Sequence, residues 1–78
     1  MPCLNPDGTL TPTSRAVLEA LDAAPCQDSA VSEQAGLPLW RVRASLRELG
    51  KAELVGVQDN VWSLTDLGHE ALEIDRSF

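Results

Sequence analysis

Four cations fall within one short stretch of this chain. Arg41, Arg43, Arg47 and Lys51 share residues 37–51 with a single acid, Glu48, so that stretch carries a net charge of +3. The rest of the chain sets Arg15 and Arg76 against eleven acids and carries −9. Guanidinium groups clamp phosphate oxygens, or pair bidentately with the O6/N7 edge of guanine. Trp40 adjoins the cluster. An exposed Trp flanked by Arg is also the composition of a protein-interface hot spot. The cluster therefore has three readings: a solvated helix face, a nucleic-acid contact, or a contact with an acidic protein partner.

Other chemistry finds no constellation. His69 is the single histidine, and the two cysteines, Cys3 and Cys26, have no CxxC spacing. That excludes a zinc cage or a disulfide framework, and both thiols are expected to be reduced. No Gly-rich phosphate loop and no nucleophile–base pair is present. An enzyme is not expected, and no cofactor is implied. Glu70, Glu73 and Asp75 read as a solvated face of the last helix, and His69 as a surface residue. MPCLNPDGTL has neither a basic nor an apolar leader region, so a cytoplasmic protein is expected. No apolar run approaches the roughly 20 residues needed to span a bilayer.

The elements that must position the cluster are legible from caps and periodicity. Seventy-eight residues at 44% apolar make one small domain. Residues 1–10 read as an arm with an Asn5-Pro6-Asp7-Gly8 turn, and residues 11–78 as the folded unit. Thr11-Pro12 is an N-cap followed by Pro at the first helical position, and Pro25 stops that helix at about Ala24. Val17, Ala20, Leu21 and Ala24 form its apolar stripe. Asp28 or Ser29 caps a short second helix with Val31 and Ala35 inward, and Gly36 supplies its C-terminal turn.

Pro38 opens a third helix over 38–50, which Gly50 ends. Leu39, Val42, Leu46 and Leu49 make its core stripe. Trp40, Ala44, Arg47 and Lys51 lie opposite, flanked by Arg41 and Arg43. A two-turn helix, a Gly turn and a longer helix make a helix-turn-helix. Two β-rich runs, Leu54–Val57 and Val61–Leu64, enclose Gln58-Asp59-Asn60 and read as a tight hairpin. Trp62 is expected to cover the core from that hairpin. Thr65 caps a fourth helix whose apolar stripe is Leu67, Ala71 and Ile74. The fold class is α+β, mainly α: a winged helix-turn-helix with a three-helix core, a β-hairpin wing and a C-terminal helix.

Three local patterns carry a resemblance to a known family. AGLP-x(3)-V-x(3)-L-x(2)-L over 35–49 resembles a helix-turn-helix. KAELV at 51–55 resembles the exit from a recognition helix, and WSLTDLGHEAL at 62–72 the strand-to-helix segment after a wing. Over about residues 12–73 the chain resembles the winged-helix core of MarR-type and related small transcriptional regulators. The resemblance implies that helix three enters the major groove of double-stranded DNA and the wing touches the flanking backbone. Trp40, Arg41, Arg43 and Arg47 would then be the DNA contacts, along with Leu39 and Ala44, and Lys51 would lie near a phosphate.

Four departures from that pattern stand beside it. The wing has no Arg or Lys, and Asp59 puts a negative charge there. Trp40 and Ala44 give the recognition face an apolar centre. The chain is short for the flanking helices through which that family dimerises, so no palindromic site is implied. The −9 outside the cluster opposes DNA, within the reach of salt screening. The expected function is a DNA-binding transcriptional regulator, and the alternative is a protein-interaction module. Trp40 is either local core against the wing or arm, or an exposed anchor. Leu64, Leu67, Leu72, Ile74 and Phe78 exceed what one helix needs to cover a small core, which suits a homodimer.

Overall fold

Thr11 begins the first helix as its sequence requires. Its Oγ1 accepts the Ser14 N–H, and Pro12 stands at the first turn. The computed structural model describes residues 10–77, so the Asn5–Gly8 turn, Cys3 and Phe78 lie outside the described residues. The elements run α1 (Pro12–Ala23), α2 (Asp28–Ala35), α3 (Leu39–Lys51), β1 (Val55–Gln58), β2 (Val61–Leu64) and α4 (Asp66–Arg76). This is the three-helix core, hairpin wing and C-terminal helix that the pattern predicts.

The core sits where α1, α2 and α3 meet under the hairpin. Val17, Leu18, Val31, Val42, Leu46, Leu49 and Leu72 are buried there. Each such side chain contributes about 1.5–3 kcal/mol by leaving water. On α1, Leu18 joins the core and Ala24 does not. Ala24 is the C-cap, in an extended conformation and exposed, because Pro25 has already taken the chain out of the helix. Leu10 is also buried, and its N–H donates to Asp75 Oδ1 of α4 at 3.3 Å.

The helix-turn-helix turns at Gly36, whose φ of 67° places it in the left-handed region that glycine reaches without strain. Pro38 is the N-cap of α3 rather than its first residue, and Leu39 is half-buried. Gln27, not Asp28 or Ser29, occupies the N-cap of α2; Asp28 is the first helical residue.

The end of α3 differs from expectation. Gly50 stays inside the helix, which runs to Lys51. The Leu54 N–H then bonds Leu49 O at 3.0 Å and the Glu53 N–H bonds Gly50 O at 3.0 Å. This is a Schellman closure with Glu53, not a glycine, in the left-handed position at φ 64°. Thr65 secures it: its Oγ1 donates to the Glu53 carbonyl at 2.6 Å and accepts the Gly68 N–H at 3.1 Å as the N-cap of α4.

The wing is antiparallel, with Val55 opposite Leu64 and Gln58 opposite Val61. Asp59 and Asn60 both take positive φ, 52° and 64°, the two-residue turn whose twist matches the strands. Trp62 also pairs on its other side with Cys26, whose N–H donates to Trp62 O at 3.1 Å and whose carbonyl accepts the Trp62 N–H at 2.8 Å. This third chain segment binds the wing to the α1–α2 connection, a pairing absent from the sequence reading. Half-buried Trp62 packs against the core as expected. Burial raises the pKa of the half-buried Cys26 thiol.

Helix α4 is turned relative to its expected stripe. Gly68 and Leu72 face the core, while Leu67 and Ile74 are about half exposed. Close approach sets this rotation. A β-carbon at Gly68 would overlap the Leu54 carbonyl oxygen, so only glycine lets α4 lie against the start of the hairpin.

Candidate nucleic-acid interface

Burial of Val42, Ser45, Leu46 and Leu49 fixes the rotation of α3 and turns Trp40 and Arg47 outward. Trp40 is 65% exposed, so it is an anchor in solvent and not local core. The Arg41 guanidinium lies 5.2 Å from the centre of the Trp40 ring. Arg41 is half-buried, and its Nε is enclosed without a hydrogen-bond partner among the described residues. A cation over an indole face gains about 0.5–1 kcal/mol at such sites. The pair therefore presents one apolar plate backed by a charge.

Arg43 lies on the side of α3 that faces the wing. Its Nε donates to Asp28 Oδ2 at 3.0 Å, linking α3 to the first residue of α2. That hydrogen bond, with the nearby charge, holds the Asp28 carboxyl below its ordinary pKa. Arg47, one turn on, forms no ion pair among the described residues and is exposed. Lys51 is exposed and sits 3.7 Å from Glu48 Oε1. Trp40, Arg47 and Lys51 thus share the outer face, with Arg41 and Arg43 on its opposite flanks, and the cations differ in state. Arg47 is open, Arg43 is tied through one nitrogen, Lys51 is loosely paired, and Arg41 is stacked.

Between α3 and the wing runs a groove. One part, of about 270 Å³, is lined by Gln27, Asp28, Arg43, Asn60 and Trp62. The adjoining part, of about 260 Å³, is lined by Asp28, Arg43, Leu46, Arg47 and Trp62. Gln27 and Asp28 are the groove residues that sequence reasoning did not place there. Asp28 stands 15 residues before Arg43 and reads locally as a helix cap. Its partnership follows from how α2 crosses α3, which no local pattern states.

Elsewhere, polar contacts staple helices. His69 Nδ1 and Arg76 Nη2 both face Asp22 on α1, at 3.4 and 3.3 Å. No cluster of three or more His, Cys, Asp or Glu that could hold a metal exists among the described residues. Nor is any helix there long and apolar enough to cross a membrane.

No protein-family model and no curated protein matches the sequence. Solved structures do. Bordetella bronchiseptica BpsR, a protein whose DNA binding is regulated by 6-hydroxynicotinic acid, superposes with a TM-score of 0.86 at 26% identity, over 92% of this chain and 56% of that one. A MarR/EmrR family transcriptional regulator from Acinetobacter sp. ADP1 gives 0.76 at 24% identity, over 85% and 50%. The fold is that of a MarR-type winged helix-turn-helix. Lactococcus lactis ZitR, solved in complex with DNA, matches this winged helix with a TM-score of 0.75 at 21% identity, over 99% of this chain and 57% of that one. The winged helix spans about half the length of the solved regulators it matches.

Proposed function

We propose that this chain is the DNA-binding module of a transcriptional regulator, with α3 docked in the major groove of double-stranded DNA. The observation that carries this reading is the outer face of α3. Four of the chain's six cations lie on this helix, and Trp40, Arg47 and Lys51 are exposed on its outer side. The proposed contacts are Trp40, Arg41, Arg43, Arg47 and Lys51. Arg47 and Lys51 meet phosphates, Arg43 faces the base edges beside the wing, and the Trp40 plate suits a thymine methyl. Residues 11–78 form the module and residues 1–10 its arm. The likeness to BpsR and ZitR supports the reading.

The wing adds no cation, so affinity rests on α3. Two or three phosphate contacts, Arg47 and Lys51 with Arg41 beside them, correspond to a salt slope of about −2 to −3. So few contacts make one module a weak binder, and we infer that the working form is a homodimer in the cytoplasm, without a cofactor. Exposed Leu67 and Ile74 on α4 offer apolar surface for that pairing. The neighbours do not favour the alternative, a protein-interaction module for an acidic partner.

The test is a ¹⁵N-HSQC titration with a mixed-sequence duplex at low and moderate salt. Shifts centred on Trp40, Arg41, Arg43 and Arg47 that fade with salt are the expected result. No shifts at low salt, where even non-specific contact registers, would overturn the proposal.

A further inference from the structure

We propose that Asp28 is a positioning residue that sets Arg43 to read a guanine in the major groove. The inference rests on the DNA-binding reading above and assigns a specificity role within that site. Its starting point is the geometry of the pair. Both carboxylate oxygens of Asp28 are engaged: Oδ1 accepts the Ser29 N–H at 2.7 Å, and Oδ2 accepts Arg43 Nε at 3.0 Å. Asp28 is the first residue of α2, where the helix dipole favours an anion. The acceptor is therefore fixed to a rigid element, and it fixes the guanidinium in turn.

The bond takes Nε and leaves the two terminal nitrogens of Arg43 without a hydrogen bond among the described residues. Arg43 borders the groove of about 260 Å³ between α3 and the wing. Two parallel N–H donors on a planar fork match the O6 and N7 acceptors that guanine shows in the major groove. Pre-orienting a long side chain lowers the ordering cost when it binds.

A phosphate clamp would need none of this. Arg47 stands nearby without an acid. An anion beside Arg43 weakens attraction to phosphate everywhere on a duplex, but it leaves directional pairing with one base edge. Asp28 thus trades general affinity for discrimination, the logic of specificity by exclusion.

The experiment is selection from a randomised duplex library with the whole 78-residue chain at low salt. The best duplex is then compared with its analogue bearing 7-deazaguanine, which pairs normally but lacks N7. The wild type should lose about 10-fold or more in affinity when one particular guanine is so replaced. Asp28→Asn should lose most of that distinction. Its binding to a mixed-sequence duplex should hold or rise, with a salt slope steeper by about 0.9 as Arg43 turns to phosphate. Asp28→Glu, which keeps the charge, should restore part of the discrimination. A merely structural role would lower binding to all duplexes together, and circular dichroism checks that the variants fold. Full retention of the 7-deazaguanine penalty in Asp28→Asn would overturn the inference, as would a wild type that binds duplex without distinguishing the two guanines. A wild type that binds no duplex would overturn the DNA-binding reading itself.

Discussion

The α1–α4 seam and the outer face of α3 use the same kinds of charged residue in opposite ways. In the seam each arginine touches two acids. Arg15 Nε lies 3.3 Å from Glu19 Oε1, with a hydrogen bond, and 3.3 Å from Asp75 Oδ2 as an ion pair. Arg76 faces Asp22 and Glu73 at 3.3 and 3.5 Å. On α3 Arg47 has no acid, Arg41 has an indole, and Arg43 has a single carboxylate on one side of its fork. The difference teaches that Asp22 and Asp75 tie α1 to α4 through the arginines of that seam. On α3 the acids are fewer, Asp28 on Arg43 and Glu48 on Lys51, so a net charge of −6 does not describe the field above that helix.

The largest effect that would sharpen this contrast comes from the buried side of the same helix. Leu46→Ala should lower unfolding free energy by about 3 kcal/mol in urea denaturation, since it empties a fully buried site. For a domain whose whole stability is about 5–10 kcal/mol, that is a large share. Next, Arg43→Ala combined with Arg47→Ala should leave stability within about 0.5 kcal/mol. In anisotropy titrations across salt it should flatten the slope of duplex binding by about 0.9, the phosphate contact of Arg47, since Arg43 reads a base. A stability loss equal to that of Leu46→Ala would mean that the outer face is a staple too.

The seam should respond in the reverse sense. The Asp75 side chain is only 9% exposed and receives the Leu10 N–H. Asp75→Ala should cost about 1.5–2 kcal/mol of stability and leave the salt slope of duplex binding unchanged. The smallest effect lies between the two regions, at the close of α3. Glu53→Gly should add about 0.5–1 kcal/mol by relieving a non-glycine residue in the left-handed region. Thermal melts resolve such a rise.

Much of the fold was legible because its signals are local. Thr11-Pro12, Gly36 and Thr65-Asp66 mark caps whose hydrogen bonds close within a few residues, and the structure shows each in use. The hairpin turn at Asp59-Asn60 was legible for the same reason. Gly50 misled, because a helix can close on a left-handed Glu when neighbouring groups secure it, here the Thr65 hydroxyl on the Glu53 carbonyl. On α4 Ala71 packs against the core as expected, but Leu67 and Ile74, which obey the same helical spacing, are exposed, and Gly68 and Leu72 are buried in their place. The Gly68 contact with the Leu54 carbonyl chose between them.

The sequence by itself determined the order of elements, the buried stripe of α3 and the concentration of cations on its other side. Those follow from periodicity and capping, which act over one or two turns. Only the tertiary structure decided which cations remain open. Asp28 reaches Arg43 across the helix-turn-helix, Asp22 collects His69 and Arg76 from the far end of the chain, and Cys26 pairs with the backbone of Trp62. Each of these contacts depends on how two elements cross in space. No period along one element encodes that crossing.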